Sequence, residues 1–202
     1  MILVAGDFFQ SDGLTFNAAV PEIRALCGRL DAPGGVFVVR GDADSEFRTG
    51  AITEGLDLTV LEQEVVEIEV GGRSLAIGGV SVEGMGELAD VQADLAAIGA
   101  ADTLRILLSH RPDPVLDLEE GTPVDLVVAG HTHGGQVALP LIGPPVILTD
   151  VPRDVAAGGL HEVDGHPIYV STGVGMERHH APQVRLGVRP SVGVIDVVPE
   201  GD

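Results

Sequence analysis

Histidine and aspartate, residue types that commonly bind divalent metals, follow short apolar runs in this sequence. The run at residues 124–129 ends at Gly130, and His131 and His133 follow with a single residue between them. Flanking glycines leave room for backbone to approach closely, so both imidazoles can turn into one crevice. A histidine pair of this kind could equally be two ordinary loop residues, because short motifs often arise by chance.

Three further apolar runs, residues 2–5, 36–40 and 105–109, are each followed within two residues by an aspartate or a histidine. In α/β proteins the carboxyl ends of strands converge on one crevice, where ligands bind. The pattern therefore predicts that the residues following the four runs meet in one metal site. These candidate catalytic and metal-binding residues are Asp7, Asp42, His110, His131 and His133.

The composition excludes several classes of function. The 202 residues are enough for one domain with a sizeable core, and we expect residues 1–202 to form it. The core must consist of aliphatic side chains, because only 3% of the residues are aromatic. The formal net charge is -20 and every basic residue is Arg, so long-range repulsion from phosphates disfavours a nucleic acid polymer as partner.

The location of the protein is predicted from what the sequence lacks. No run of about 18 apolar residues is present, so we expect no transmembrane segment, and no signal peptide is recognisable at residues 1–20. We therefore expect a cytoplasmic protein, peripheral to the membrane if an anchor lies upstream.

Cys27, the single cysteine, cannot form an intramolecular disulfide and is expected to be a buried small hydrophobe.

Apolar spacing predicts the elements that carry these residues. Residues 16–30 have one apolar helical face, and the helix should begin or kink at Pro21. Residues 65–70 and 74–77 should form a hairpin, which implies a mixed sheet or two packed sheets. Residues 88–98 are predicted to form a helix, and residues 45–55 are predicted to be irregular. Residues 167–171 and 192–198 are further predicted strands, and the second of them should close the sheet.

Two further predictions concern the exposure of side chains to solvent. Residues 139–142, Leu-Pro-Leu-Ile, could form an exposed apolar lip beside the site, but we expect them to be covered because exposed apolar patches are uncommon. His161 and His166 flank a turn at Asp164-Gly165 and are expected to be exposed to solvent.

The motifs together resemble the calcineurin-like metallophosphoesterase family, and the similarity runs from Met1 to nearly the end of the chain. Its motifs occur in the family's order as GDFFQ from Gly6, GDAD from Gly41, LLSHRPD around His110, and GHTH from Gly130. The segments LSHRPD, GHTHGGQVALP and YVSTGVG look most like a bacterial branch. That branch includes membrane-associated phosphohydrolases and relatives of lipid A precursor pyrophosphatases. The implied fold is an α/β, two-sheet mixed β-sandwich flanked by helices.

The resemblance also implies roles for the candidate residues. Asp7 would bridge two metal ions, with Asp42, His110 and His131 completing the site of one ion. His133 would bind the other ion. Carboxylates and imidazoles without a thiolate suit Mn, Fe or Zn and fit Mg less well. Two such ions could activate a water to attack phosphorus, so the implied activity is hydrolysis of a phosphodiester, pyrophosphate or phosphomonoester. The substrate would be small and phosphorylated, with lipid-linked and nucleotide-linked compounds among the candidates.

Three departures from the family's pattern leave an alternative open. The D-x-H strand expected before Ile2 is absent, so the chain is a truncation or the true start lies upstream. Ala43 stands where the family has a phosphate-contacting histidine, and its loss would cost roughly 10²–10⁴-fold in rate if that histidine is a general acid. Gln10 replaces a family aspartate, for which Asp12 could substitute structurally. The alternative is a degenerate member with weak or no catalysis that acts as a binding or scaffold module.

Other side chains could compensate for the missing ligands. His179 and His180 follow Arg178, whose planar guanidinium could bind phosphate. An adjacent histidine pair in a polar loop is, however, more often a surface feature than a ligand set.

Overall fold

A computed structural model describes residues 1–82, 85–99, 102–119, 121–178 and 181–198. Two β-sheets pack face to face, and helices cover their outer faces. The first sheet, in the order β1-β2-β3, is parallel and contains Ile2–Val4 (β1), Val36–Val38 (β2) and Thr59–Val60 (β3). The predicted α/β two-sheet sandwich is thereby confirmed.

The second sheet is mixed and has the order β4-β5-β6-β7-β9-β8. Its strands are Val65–Val70 (β4), Arg73–Val80 (β5), Leu104–Ser109 (β6), Leu126–Ala129 (β7), Gly159–Val163 (β8) and His166–Val170 (β9). The pairs β4–β5 and β8–β9 are antiparallel hairpins, and the pairs between them are parallel. Every residue of β7 is buried, as expected for a strand covered on both faces of its sheet.

Within the described residues, four α-helices complete the outer layers: Gly13–Cys27 (α1), Glu46–Thr53 (α2), Leu88–Ala97 (α3) and Arg153–Ala156 (α4). The core between the sheets includes Phe37 of β2, Leu61 directly after β3, and Ile106 and Val128 from the second sheet. Helices α1 and α2 pack together through Phe16, Cys27 and Ile52. Cys27 is buried, as predicted.

Helix α1 does not begin at Pro21. It begins at Gly13 because the Asp12 carboxylate caps it and accepts a hydrogen bond of 2.9 Å from the Thr15 amide. Pro21 lies inside the helix. Residues 45–55, expected to be irregular, contain α2, whose first turn is capped by the Ser45 hydroxyl. Asp12 thus has a structural role, as a helix cap.

The prediction of a closing strand at residues 192–198 was wrong. These residues form no strand, and Val192 and Val194 are 79% and 89% exposed. An apolar run alone does not distinguish a strand from an exposed extended segment, because strand formation also needs a neighbouring edge with which to pair.

The expectation that residues 139–142 are covered was also wrong. A tight turn joins the Leu139 amide to the Gly143 carbonyl at 2.9 Å, and it directs Leu141 and Ile142 outward, where they are fully and 60% exposed. His166 is buried rather than exposed, because it lies at the start of β9, and His161 is half-buried. In the part of the chain that the structure describes, no helix is both long and apolar enough to cross a bilayer.

Candidate metal centre

The segments that follow β1, β2, β6 and β7 meet at one edge of the sandwich. Asp7, Asp42, His110 and His131 lie three, four, one and two residues beyond these strands. Because the strands run in the same direction within each sheet, their carboxyl ends deliver these side chains to a common place. These four of the five predicted residues lie at one edge, and their binding of a metal ion stays a prediction.

Asp42, His110 and His131 form the tight group at this edge. One ligand atom from each lies within 4.8 Å of the others. The Asp42 Oδ2 atom is 2.8 Å from His131 Nδ1 and 3.6 Å from His110 Nε2. The two imidazoles approach at 3.2 Å, between His131 Nδ1 and His110 Nε2. An arrangement of one carboxylate and two imidazoles at these distances is suited to a divalent ion.

The imidazole of His110 is oriented by the backbone of the loop that follows β1. It is 1% exposed, and its Nδ1 lies 2.5 Å from the Ala5 carbonyl oxygen, which can only accept a hydrogen bond. The proton therefore sits on Nδ1, and Nε2 points toward Asp42 and Asp7. Burial acts to lower the pKa of His110, but the hydrogen bond to Asp42 and the charge of Asp7 raise it overall.

Asp42 supplies the carboxylate of the group, and this carboxylate is ionised. Burial opposes its ionisation, yet hydrogen bonds and charge from His110 and His131 hold the pKa of Asp42 well below its usual range. The half-buried Arg111 places one guanidinium nitrogen 3.1 Å and 3.3 Å from the two Asp42 oxygens. A cation at this edge would therefore meet a carboxylate rather than a carboxylic acid.

Asp7 lies next to this group. Its Oδ2 atom is 3.6 Å from His110 Nε2, and its Oδ1 atom accepts a hydrogen bond of 2.8 Å from the Ala43 amide. One carboxylate oxygen is thus held by the backbone while the other faces the imidazole. Asp7 is in position to contribute a further ligand beside Asp42.

Asp44 holds the loops of both aspartates and was not singled out from the sequence. It is 5% exposed, and its carboxylate accepts hydrogen bonds from the amides of Asp7 (2.6 Å), Gly41 (3.1 Å) and Phe8 (3.1 Å). Burial raises the pKa of Asp44, and these amide donors act against that rise. Its position as the last residue of GDAD was the available signal.

Backbone strain is concentrated in the same place. Asp7, His131 and His133 have φ values of 59°, 66° and 49°, in the left-handed region that side chains with a Cβ rarely adopt. Such conformations cluster at ligand sites, where the surrounding structure maintains them.

His133 does not join the tight group. Its Nδ1 atom is 3.4 Å from an Arg185 guanidinium nitrogen, which also donates to the Thr172 carbonyl at 2.6 Å. Burial and the charge of Arg185 lower the pKa of His133. The imidazole is therefore neutral and chemically able to bind a cation, but within the described residues it lies outside the Asp42 cluster.

Two glutamines, Gln136 in the loop after β7 and Gln10 in the loop after β1, hold the segment that follows β9. Gln136, 1% exposed, accepts from the Glu177 amide at 2.7 Å and donates to the Glu177 carbonyl at 3.1 Å. Gln10 donates to the Glu177 carboxylate and accepts from the Arg178 amide. Neither role was predicted, because both depend on contacts far apart in sequence. His179 and His180 lie outside the described residues.

The donor set fits a divalent metal ion. Imidazole nitrogens and carboxylate oxygens both bind such ions, and the contact between Nδ1 and the Ala5 carbonyl directs His110 Nε2 toward the centre without reorientation. The Asp42 carboxylate, at present shared with Arg111, supplies the negative charge.

Similar proteins are found among curated sequences. Phosphodiesterase YaeI of Escherichia coli is 28% identical over 208 residues, covering 98% of this chain and 70% of that protein. An uncharacterized metallophosphoesterase of Bacillus subtilis, YkuE, is 32% identical over 186 residues, covering 88% of this chain and 62% of YkuE. No protein-family model matches the chain.

A solved structure has the same fold. The NAD nucleotidase of Haemophilus influenzae superimposes with a TM-score of 0.56 at 17% identity, covering 86% of this chain and 40% of the nucleotidase. At this identity the likeness concerns the fold alone.

Proposed function

We propose, since this chain belongs to the calcineurin-like metallophosphoesterase family, that it hydrolyses a phosphodiester at the Asp42–His110–His131 centre. The observation that carries the proposal is the convergence of one carboxylate and two imidazoles, whose ligand atoms lie within 4.8 Å of one another. The name of YaeI, a phosphodiesterase, supports a diester as the substrate class.

Asp42, His110 and His131 would hold the ion, with Asp7 as a further ligand and His133 toward a second ion. When bound, one or two divalent ions neutralise charge on the phosphate and lower the pKa of a water. The contacts of these side chains with the backbone keep the ligand atoms in fixed positions. His110 does this through Ala5, and Asp7 through the Ala43 amide.

Arg111 would bind the substrate's phosphate. Its guanidinium contacts both oxygens of Asp42, and a metal ion at Asp42 would compete for that carboxylate. The planar guanidinium is then able to donate two parallel hydrogen bonds to phosphate oxygens instead.

The absence of an ionisable side chain at Ala43 bears on the leaving group. A methyl group cannot protonate the departing oxygen, so the reaction should favour leaving groups that depart as stable anions. We therefore expect aryl diesters to react faster than alkyl diesters, and a rate that is reduced by roughly 10²–10⁴-fold relative to a centre with a general acid.

Hydrolysis of bis(nitrophenyl) phosphate tests the proposal. The chain saturated with manganese should release nitrophenolate, and chelation should stop the release. His131→Ala should lower kcat/KM at least about 100-fold, because it removes a proposed ligand. His161→Ala is the matched control, since His161 contacts the Gly158 carbonyl in the β8–β9 region rather than the centre.

Two results would contradict the proposal. One is turnover that is equal in the His131→Ala and wild-type chains, which would indicate a contaminant. The other is stoichiometric manganese binding without turnover, which would instead favour the alternative of a degenerate member that binds a partner.

A further inference from the structure

A cleft of about 450 Å³ opens directly beside Asp42. It is lined by Gln10 and Ser11 from the loop after β1, and by Ala43, Ser45 and Arg48 from the segment after β2. Its volume lies in the range that ligand sites for small molecules occupy. The cleft therefore has room for a part of the substrate beyond the phosphate at the centre.

Arg48 is held in place at the wall of this cleft. Its guanidinium carbon lies 4.8 Å above the Phe16 ring centroid, and its Nη2 atom donates to the Ser11 carbonyl at 2.8 Å. Among the described residues, no second acceptor lies within hydrogen-bond distance of this guanidinium. The group is thus pre-positioned, and most of its N–H donors remain available to a ligand.

The charge of Arg48 is unusual for its surroundings. The chain has a net charge of -20, and the same cleft is lined by the carboxylates of Asp42 and Asp44. Asp44 is occupied by three backbone amides, and Asp42 belongs to the proposed metal centre. With a cation at Asp42, the cleft would have positive charge at both Asp42 and Arg48.

We propose that Arg48 binds a second anionic group of the substrate, a phosphate or a carboxylate, while the scissile phosphate lies at the metal centre. The inference rests on the proposed function, because it places the scissile phosphate at Asp42. It makes Arg48 a specificity residue, which selects substrates with two anionic groups over those with one. A guanidinium fork fits both phosphate and carboxylate oxygens.

Calorimetric titration of the manganese-saturated chain tests this inference with three probes of equal spacer length. Propylphosphonate has one anionic group, propylene diphosphonate has two phosphonates, and phosphonobutyrate has a phosphonate and a carboxylate. The diphosphonate or phosphonobutyrate should bind at least about tenfold more tightly than propylphosphonate, as expected for an added charge-assisted hydrogen bond. Which of the two binds more tightly identifies the preferred anion.

Substitution then assigns the preference to Arg48. Arg48→Met should abolish the difference between the probes and leave the affinity for propylphosphonate within about twofold. Arg48→Lys should retain part of the preference, since it keeps the charge but not the planar fork. Arg73→Met is the matched control, because it removes the same charge from the exposed start of β5. Equal melting temperatures would show that all three variants fold.

The outcomes separate this inference from the proposed function. If propylphosphonate binds but the second anionic group adds nothing, Arg48 has no such role and the proposed function stands. If Arg48→Met weakens all three probes equally, Arg48 acts on the scissile phosphate or on folding, and the inference is wrong. If the wild-type chain binds neither manganese nor any probe, the proposed function fails and the inference fails with it.

Discussion

The Nδ1 atom of His110 lies 2.5 Å from the carbonyl oxygen of Ala5, a residue 105 positions earlier in the chain. This contact joins the loop after β1, in the first sheet, to the end of β6, in the second. It also decides the tautomer, because a carbonyl oxygen accepts only from a protonated nitrogen. The Nε2 lone pair is thereby directed at the centre before any ion arrives.

His110→Ala should therefore weaken metal binding more than the loss of an ordinary histidine would. The variant removes a proposed ligand and leaves the Ala5 carbonyl without its partner. We expect the dissociation constant for manganese to rise at least about 100-fold, measured by calorimetry on the chelated and dialysed chain. His161→Ala should leave it unchanged. An unaltered dissociation constant in His110→Ala would remove His110 from the ligand set.

Metal affinity should rise with pH. In the metal-free chain the pKa of His110 is raised by Asp42 and Asp7 despite burial, so a proton competes with the ion for Nε2. Binding must release that proton, and the apparent affinity should fall as the pH drops below the raised pKa. Titrations at several pH values, in buffers of different ionisation enthalpy, measure both the affinity and the proton release.

The contribution of His110 to the stability of the metal-free chain should fall as the pH rises, whereas the metal affinity increases. Because its folded pKa exceeds the unfolded value of about 6.5, the protonated imidazole contributes stability that is fully present below that pH. This contribution is lost as the pH rises through the folded pKa. The difference in melting temperature between the chelated wild-type and His110→Ala chains should accordingly shrink from acidic to alkaline pH. A difference that grows with pH would contradict the assignment.

The four strand ends could be predicted from sequence because burial on both faces makes parallel strands continuous apolar runs. The runs before Asp7, Asp42, His110 and His131 all proved to be strands or to include one. The β4–β5 hairpin was also predicted from its turn residues, Gly71-Gly72. At Asp164-Gly165 only the turn was predicted, and strand β8 before it was not.

What could not be predicted depends on tertiary contacts. Helix α2 has little apolar periodicity, because Ile52 is its only buried hydrophobic residue and two threonines, Thr49 and Thr53, are buried beside it. The roles of Asp44 and Gln136 arise from backbone groups that are remote in sequence. The separation of His133 from the cluster depends on Arg185, 52 residues away, and no local spacing indicates it.

Asp44→Asn should destabilise the chain and loosen the centre together. The carboxylate accepts from three amides, whereas one of the two polar atoms of Asn is a donor and would face an N–H group. An unsatisfied buried amide costs about 1–3 kcal/mol in the free energy of unfolding. Urea unfolding measures this cost, with the exposed Asp31→Asn as control. Equal stability of the two variants would exclude Asp44 as the support of the aspartate loops.

Gly41→Ala should disrupt the centre without altering any polar group. A Cβ atom at position 41 would lie 2.3 Å from Asp7 Oδ1 and 2.7 Å from His110 Cε1, so the Asp7 loop and the imidazole would have to separate. We expect manganese binding to be lost and the melting temperature to fall, as measured by calorimetry and thermal unfolding. Gly50→Ala makes the same change inside α2, where no atom lies within 4 Å of the new Cβ. That control should keep full metal affinity and gain about 0.5–1 kcal/mol in the free energy of unfolding, because alanine restricts the unfolded chain. If both variants bound manganese like the wild type, the close approach of Gly41 to Asp7 and His110 would have no part in building the centre.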